Sequence, residues 1–546
     1  MKKWELINKA SYKNLETEDV IKILLKNRNI NTKKEKEDFL NPQISSVKID
    51  KVKINIAQVK KSIKRIKEAI KKKEQIIIFG DYDVDGICGS AILWETLNEL
   101  GANVMPYIPH RIDEGYGLSI KGIDNLKKLY KNLKLIITVD NGIVANDAVE
   151  FAKKEGIDVI ITDHHVPSKI LPKAYSIVHT TLLCGTGVAY VLSKELQSVK
   201  AKDDRHLELV ALATVADLVP LTGANRVLLK EGLLKLHITR RVGLLALFSE
   251  AGLESRDIGV YEIGHMIAPR INAMGRLESA MDALRLICTT NRERAKELAF
   301  KLGSTNRERQ VVTEETVAHA KLLAKESQAD TLIFISHETY EQGVIGLVAG
   351  KLVEEFYRPS IVVSKGEVYS KASARSIAGF NIIDFIRGDL KLLVDVGGHP
   401  MAAGFTVETQ KLTVLEENLK KRAKKLLTKT LMEKTLMVDM ELPDSLISQN
   451  LYDSISKLEP FGMKNPQPVF LTKGLLIEDL RLVGNGSKHL KLKLRGDKSF
   501  EAIAFGMGEG NGFTIGDKVE VVYTIDENKW NGYKNLQLKV KDIRKN

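Results

Sequence analysis

Apolar runs broken by polar turns divide the chain into two α/β units and a strand-rich end. Residues 76–85, IIIFGDYDVD, set the first pattern: a β-branched run, a glycine, then acids at every second position. The run predicts a buried strand, and residues 86–100, GICGSAILWETLNEL, carry apolar side chains at helical spacing. Further strands are predicted over 102–108, 135–139 (LIITV) and 159–162 (VIIT), with a helix over 145–155 between the last two. Alternating strands and helices imply parallel strands with right-handed crossovers, so the strand ends share one rim.

A helical tract follows from about 244 to 325, reading as long helices with solvated charges. A second α/β unit opens with 331–335 (TLIFI), a helix over 343–356 and a strand over 360–363. It returns to glycine-rich turns and closes on a basic helix, 419–427. Beyond about 437, residues 489–495, HLKLKLR, alternate strictly. Leu490, Leu492 and Leu494 then face inward, with Lys491, Lys493 and Arg495 outward as one basic face. Short strands recur at 502–505, 518–523 and 536–540, which suits a five-stranded barrel of the oligonucleotide-binding type. The expected fold is therefore α/β: a parallel-sheet unit and a smaller α/β unit joined by long helices, plus a C-terminal β-barrel.

The strand ends carry the candidate chemistry. Asp81, Asp83 and Asp85 crowd one strand-to-helix turn, where carboxylates repel one another unless cations neutralise them. Asp140 ends the 135–139 strand, and Asp163-His164-His165 end the 159–162 strand. Asp217 closes the apolar run LVALATVADLV, where a carboxylate is costly unless paired or metal-bound. A solvated acidic turn shows the same Asp spacing, and a lone His pair is more often a surface or core feature than a ligand pair. Their common place at strand ends favours a shared site for hard divalent cations, built from Asp83, Asp85, Asp140 and His164, with Asp217 as the fifth ligand candidate. Phosphate contacts are expected from Arg111 in the HRIDEGYG loop, Arg270, Asn272 and Arg276 in APRINAMGR, and Ser373 and Arg375 in SARS. The glycine-rich GGHPMAAG stretch carries His399.

Composition narrows the partner. Eighty-three Lys and Arg against 70 Asp and Glu give a net charge of +13, which favours an anionic partner such as nucleic acid over an acidic one. Cys88, Cys184 and Cys288 show no CxxC spacing, so no disulfide framework or zinc ribbon is indicated, and a reducing cytoplasm fits. The first residues, MKKWELINKASYKN, lack the apolar core of a signal peptide, and no stretch approaches the ~20 apolar residues of a membrane span. The Lys-rich segment 1–73 includes VKKSIKRIKEAI at 59–70, whose lysines are expected to form a solvated face without chemistry.

The motifs GDYDVDG, VDNG, DHH, ATVADLVPL, PRINAMGR, SARS and GGHPMAAG follow in this order from about Gln75 onward. Together they resemble the RecJ family of the DHH phosphoesterase superfamily. The resemblance implies a single-stranded-DNA-specific 5′-to-3′ exonuclease acting in DNA repair and recombination. Its implied domains are an N-terminal helical extension (1–73), a DHH domain (74–235), a helical connector (236–328), a DHHA1 domain (329–430) and an OB-fold (437–546). It also implies two divalent cations, Mn2+ or Mg2+, on Asp83, Asp85, Asp140, His164 and Asp217. Asp81 and His165 are the implied catalytic neighbours; His165 either contacts the phosphate or attacking water, or only orients a ligand. The 5′-phosphate and backbone contacts fall on Arg111, Arg276, Ser373 and Arg375, with Arg270, Asn272 and His399 beside them. Single-stranded DNA, a helicase and a single-stranded-DNA-binding protein are the implied partners. Ala268 and Lys464 stand where the family often has glycine, and an extra C-terminal domain of some members is expected to be absent. A phosphodiesterase for short oligonucleotides or cyclic dinucleotides shares the DHH and GGH motifs but leaves the barrel without a role. A pyrophosphatase likewise has no use for the barrel, and a non-catalytic scaffold does not need the intact acids.

Overall fold

The computed structural model describes residues 2–10, 15–110, 114–197, 204–326, 331–508, 510, 512–530 and 533–546. Two compact units emerge: a larger one of Trp4–Ala268, Leu284–Ala295 and Leu436–Asn546, and a smaller one built mainly from Pro269–Ala283 and Lys296–Thr435. In the larger unit, β1 (Gln75–Gly80), β2 (Val104–Tyr107), β3 (Leu133–Val139), β4 (Asp158–Asp163) and β5 (Ser176–His179) form a sheet in the order β2-β1-β3-β4-β5. Every neighbouring pair is parallel. All six residues of β1 are buried, as befits a parallel strand covered on both faces. The chain leaves β1 for β2 on one side and returns to β3 on the other, so β1 and β3 flank the switch point where ligands of open parallel sheets bind. The helix Val84–Glu99 begins hard against the end of β1 because residue 86 is glycine; a Cβ there would collide with the Asp81 backbone. The fifth strand escaped the sequence pattern, since SIVH is four residues long with alternating burial and no apolar run.

The smaller unit holds β6 (Ile333–His337), β7 (Ser360–Ser364), β8 (Tyr369–Arg375), β9 (Leu393–His399) and β10 (Ala402–Glu408), in the order β9-β10-β8-β7-β6. Only β6 and β7 run parallel. Helix Ile345–Phe356 packs Val348 and Leu352 on Ile333, Ile335 and Val362. The Ser373 and Arg375 segment is strand rather than turn, because Ser370, Ala372 and Ala374 alternate inward. The expected turn over 397–404 narrows to residues 400–401, with 397–399 ending edge strand β9. The long-helix expectation resolves into one 35-residue helix, Arg292–Glu326.

At the end of the chain, β11 (Met440–Glu441), β12 (Phe470–Val483), β13 (His489–Arg495), β14 (Ser499–Ala504), β15 (Lys518–Trp530) and β16 (Tyr533–Lys545) follow the order β11-β12-β13-β14-β16-β15. A β12–β15 pairing closes five of them into a barrel. Leu490, Leu492 and Leu494 face its core, as the alternation predicts. The outward cations do not form a basic face: Lys491 pairs with Glu501 at 3.3 Å and Lys493 with Glu478 at 3.2 Å across the strands. The N-terminal helices do not stand apart either. Val20, Leu24 and Phe39 share one core with Phe470, Leu492 and Tyr523. Arg226, 1% exposed, donates to Phe39 O at 2.9 Å and Glu459 O at 2.6 Å and lies 3.8 Å from the Phe39 ring, joining helix, parallel-sheet domain and barrel.

Between barrel and parallel-sheet domain, Leu221 N donates to Met463 O at 2.8 Å within a turn closed by Gly462 and Asn465. The next residue, Lys464, is exposed and sits at φ 61°, the left-handed region that disfavours a Cβ. Lys464→Gly is therefore expected to stabilise the protein by roughly 1 kcal/mol, the αL relief less glycine's greater unfolded-chain entropy. Urea unfolding checks this through a raised midpoint at unchanged slope.

Candidate metal centre

Each acid is brought to the rim by its own local device. Asp83 is the N-cap of helix Val84–Glu99, its Oδ1 accepting from Asp85 N at 2.9 Å and Gly86 N at 3.1 Å. Two residues later, Asp85 accepts from Gly185 N and Thr186 N, both at 2.6 Å, at the start of helix Gly185–Leu196. Asp140 follows β3 at φ 62°, a strained backbone that Asp tolerates better than most residues. A Cβ on Gly185 would lie 2.6 Å from Asp140 Cβ, so only glycine lets these two loops meet. Asp217 caps helix Leu207–Ala216 at its C-terminus.

These groups converge. His164 Nε2 lies 3.1 Å from Asp140 Oδ1, 3.5 Å from Asp217 Oδ2 and 3.7 Å from Asp85 Oδ2. Two triads that share no residue, Asp85–His164–Asp217 and Asp81–Asp83–Asp140, each bring their ligand atoms within 4.8 Å of one another, and Asp140–His164–His165 does so between them. All seven residues read from the sequence as metal ligands or catalytic neighbours thus share one rim.

The electrostatics fit cations. Burial, then the charge of Asp85, raises the Asp83 carboxyl above its usual range. Burial and the neighbouring aspartates push Asp140 well up and Asp217 to about 9. Asp140 Oδ1 and Asp217 Oδ2 are buried and accept no hydrogen bond, although the His164 nitrogen is near both. Burial also lowers the His164 imidazole, which favours the neutral ring that ligates metals. Carboxylate oxygens lacking donors around a neutral imidazole nitrogen are the donor set of hard, oxygen-preferring divalent ions that tolerate one nitrogen.

Four further contributors went unassigned from the sequence. Asp163 Oδ1 accepts from His165 Nδ1 at 2.7 Å and from His164 N at 2.7 Å, while its Oδ2 accepts from Ile143 N at 2.9 Å. Burial works against its charge, but these bonds hold its carboxyl below the usual value. Burial likewise opposes the charged His165 ring, yet Asp163 outweighs it and raises the imidazole. The other ring nitrogen of His165 lies 3.2 Å from Tyr116 Oη. Asn141 donates to Phe79 O and Val139 O and accepts from Leu118 N, tying β1, β3 and the 115–118 loop together. The Gly185-Thr186 amides complete the set. Asp163 and Asn141 stand in the DHH and VDNG motifs, whereas the Tyr116 and Gly185-Thr186 contacts depend on pairings far apart in sequence.

Of the predicted phosphate contacts, Arg111 lies outside the described residues, and the others fall in or at the edge of the smaller unit. Arg270, Asn272 and Arg276 lie on helix Ala268–Leu277, not in a polar break: helical backbone runs on through Pro269 from the π-turn Ile263–Ile267 just before it. Arg276 Nη1 donates to Gly343 O at 3.0 Å, and Arg375 Nη1 donates to Ser373 Oγ at 3.1 Å. A Cβ on Gly346 would come 2.9 Å from Arg375 Nη2 and 3.0 Å from Ser373 Oγ. Arg276, Ser373 and Arg375 therefore gather at the amino end of helix Ile345–Phe356, which favours anions. His399 is exposed at the end of β9.

Comparison with known proteins follows the same layout. Three family models match: the DHH family N-terminal domain over residues 75–214, the DHHA1 domain over 320–429 and the RecJ OB domain over 438–542. The single-stranded-DNA-specific exonuclease RecJ of Bacillus subtilis is 36% identical over 485 residues, 86% of this chain and 61% of the relative, so the chain spans less than two thirds of that protein's length. RecJ of Escherichia coli is 31% identical over 510 residues, 86% of this chain and 87% of the relative. The crystal structure of Thermus thermophilus RecJ with Mn2+ superposes with a TM-score of 0.84 at 28% identity, covering 100% of this chain and 80% of that one. Its Mg2+ counterpart gives 0.78. Among the described residues no helix is long and apolar enough to cross a membrane.

The raised carboxyls make a stability prediction with a definite sign. Below its ordinary 3.8, Asp217 is protonated folded or unfolded and costs nothing. As pH rises toward about 9, the unfolded chain releases this proton and the folded chain retains it, so unfolding is progressively favoured. Chelator-treated protein is therefore expected to lose stability across this window, Asp217→Asn to lessen the loss, and added Mn2+ to reverse it. Urea unfolding at stepped pH measures all three.

Proposed function

The chain belongs to the RecJ family, and we propose that it is a single-stranded-DNA-specific exonuclease that releases nucleotides from the 5′ end by metal-dependent phosphodiester hydrolysis, in DNA repair and recombination. The observation that carries this reading is the pair of adjacent, non-overlapping carboxylate and imidazole triads at the strand ends. Asp85, His164 and Asp217 would hold one divalent cation, and Asp81, Asp83 and Asp140 the other, with Mn2+ or Mg2+ suited to the oxygen-rich set. Bound there, the ions supply Lewis-acid polarisation of the phosphodiester and a lowered pKa for water.

The chain's own groups do the rest. Asp163 fixes the His165 ring and favours its protonated form, so that Nε2, 3.2 Å from Tyr116 Oη, can donate to a phosphate oxygen in place of that hydroxyl. Arg276, Ser373 and Arg375 take the 5′ phosphate at a helix amino end, where guanidinium forks match phosphate geometry. Arg111, Arg270, Asn272 and His399 contribute backbone contacts. The barrel receives the outgoing single strand, in line with the RecJ OB domain match. A helicase and a single-stranded-DNA-binding protein in the cytoplasm are the partners that the family resemblance supports. A phosphodiesterase restricted to very short substrates is the alternative outcome.

Digestion of end-labelled single strands, duplexes and dinucleotides with Mn2+ tests the reading: processive loss from the 5′ end of long single strands is expected, and activity confined to dinucleotides overturns it. Asp140→Ala and Asp217→Ala are each expected to lower turnover at least about a hundred-fold, beyond the 10–100-fold typical of outer-shell partners. Binding to single-stranded DNA, measured in parallel, should persist. Arg375→Ala is expected to reduce the preference for 5′-phosphorylated over 5′-hydroxyl DNA in competition assays.

A further inference from the structure

Cations of the larger unit are unevenly neutralised. On the barrel, Lys473 pairs with Glu441 at 2.8 Å, Lys545 with Asp517 at 2.8 Å, and Lys491 and Lys493 with their cross-strand acids. Helix Ile56–Lys71 differs. Lys60, Lys64, Lys67 and Lys71 are exposed and recur at steps of four, three and four residues, one straight stripe about 16 Å long. None of the four forms an ion pair among the described residues, and the helix's one acid, Glu68, is held by Lys72 at 2.6 Å. Arg65, on the inward face, is by contrast neutralised by Glu74 at 2.8 Å and Asp158 at 2.6 Å. Like charges three and four residues apart destabilise a helix. The helix dipole rewards Lys71 in the last turn, but not Lys60 or mid-helix Lys64. Among the described residues, only Glu68, already held by Lys72, acts on the stripe from within the helix, so most of the repulsion stands.

The stripe is also remote from the metal rim. Ser62 Oγ meets Ser176 Oγ at 2.7 Å at the first residue of β5, and Arg65 reaches Asp158, the first residue of β4, and the Lys134 carbonyl near the start of β3. The helix thus lies over the strand beginnings, whereas the carboxylates lie beyond the strand ends, about 20 Å of strand away.

Resting on the exonuclease reading above, we propose that Lys60, Lys64, Lys67 and Lys71 grip the phosphate backbone of duplex DNA flanking the single strand being degraded. Lysine ammoniums on flexible stems contact phosphates as point charges without reading sequence. Single strands draw much of their binding from aromatic stacking, and the aromatic ring beside the stripe, Tyr175, is covered by Lys61 at 4.8 Å. A duplex hides its base faces and presents only phosphate rows, which is what a rigid stripe of ammoniums without a stacking platform suits.

The test compares the full chain with a variant carrying Lys60→Gln, Lys64→Gln, Lys67→Gln and Lys71→Gln. Fluorescence anisotropy in chelator would use two probes: a labelled single strand, and the same strand extended into a duplex. Each lost phosphate contact to a duplex lowers the salt slope by about 0.9, so four contacts correspond to about a hundred-fold difference in affinity lost between 50 and 200 mM salt. The variant is expected to lose this increment on the tailed duplex and to bind the single strand as the wild type does. The single change Lys64→Glu should shift the duplex slope in the same direction, independently of how the fourfold variant folds. Equal loss on both probes would assign the stripe to the single strand, and no loss on either would leave it a solvated face; both results overturn the proposal. Mn2+-dependent cleavage of the single strand, run alongside, is expected to be equal in the two proteins. Failure of the wild type to cleave would instead remove the exonuclease reading.

Discussion

Mutual repulsion among buried carboxylates is the constraint on which the larger unit turns. Asp81, Asp83, Asp85, Asp140 and Asp217 occupy one rim, and the raised carboxyls of Asp83, Asp140 and Asp217 show that the fold alone does not neutralise them. The surrounding structure holds them together by other means. Amides of two helix starts bind Asp83 and Asp85, and a left-handed residue turns Asp140 inward. Asn141 fastens the loops that carry them. The parallel sheet supplies the depth of core that makes such a crowded rim tolerable, with β1 fully buried beneath it.

What was legible in the sequence depended on range. Strand ends could be found from local pattern, because an apolar run stopped by an acid is a signal within six residues, and parallel order then places those ends on one edge. Asp85's partners were not legible, since Gly185 and Thr186 lie a hundred residues away and carry no mark of their own. The Ser373–Arg375 segment read as a turn because small polar residues suggest one, yet the inward alternation of Ser370, Ala372 and Ala374 makes it a strand. The helix holding Arg270 and Arg276 was obscured by Pro269, which here follows a π-turn inside a continuous helical run.

Charge proved harder to read than hydrophobicity. Alternation along β13 correctly predicted which leucines point inward, because that is a property of one strand. Whether its lysines are free is a property of two, and the neighbouring strands supply Glu478 and Glu501. On helix Ile56–Lys71 the reverse holds: a tract that resembles ordinary solvated surface keeps its charge because none of Lys60, Lys64, Lys67 and Lys71 forms an ion pair among the described residues. Periodicity locates a charged side chain; only tertiary pairing decides what field it leaves in solution.

The shared core of the first helices and the barrel has a consequence for synthesis. Asn27 donates to Asp439 across 412 residues, and Leu24 packs in a core completed by strands still further along. At about 5–20 residues per second, the ribosome takes roughly 20–80 s to deliver the far partner after the near one has emerged. For that interval the amphipathic helix Thr17–Asn27 has no native surface to cover it, while the parallel sheet between can already form. The nascent chain thus carries an exposed apolar face on these helices until the barrel strands emerge, making them, rather than the metal-bearing domain, the segment most dependent on chaperones during birth.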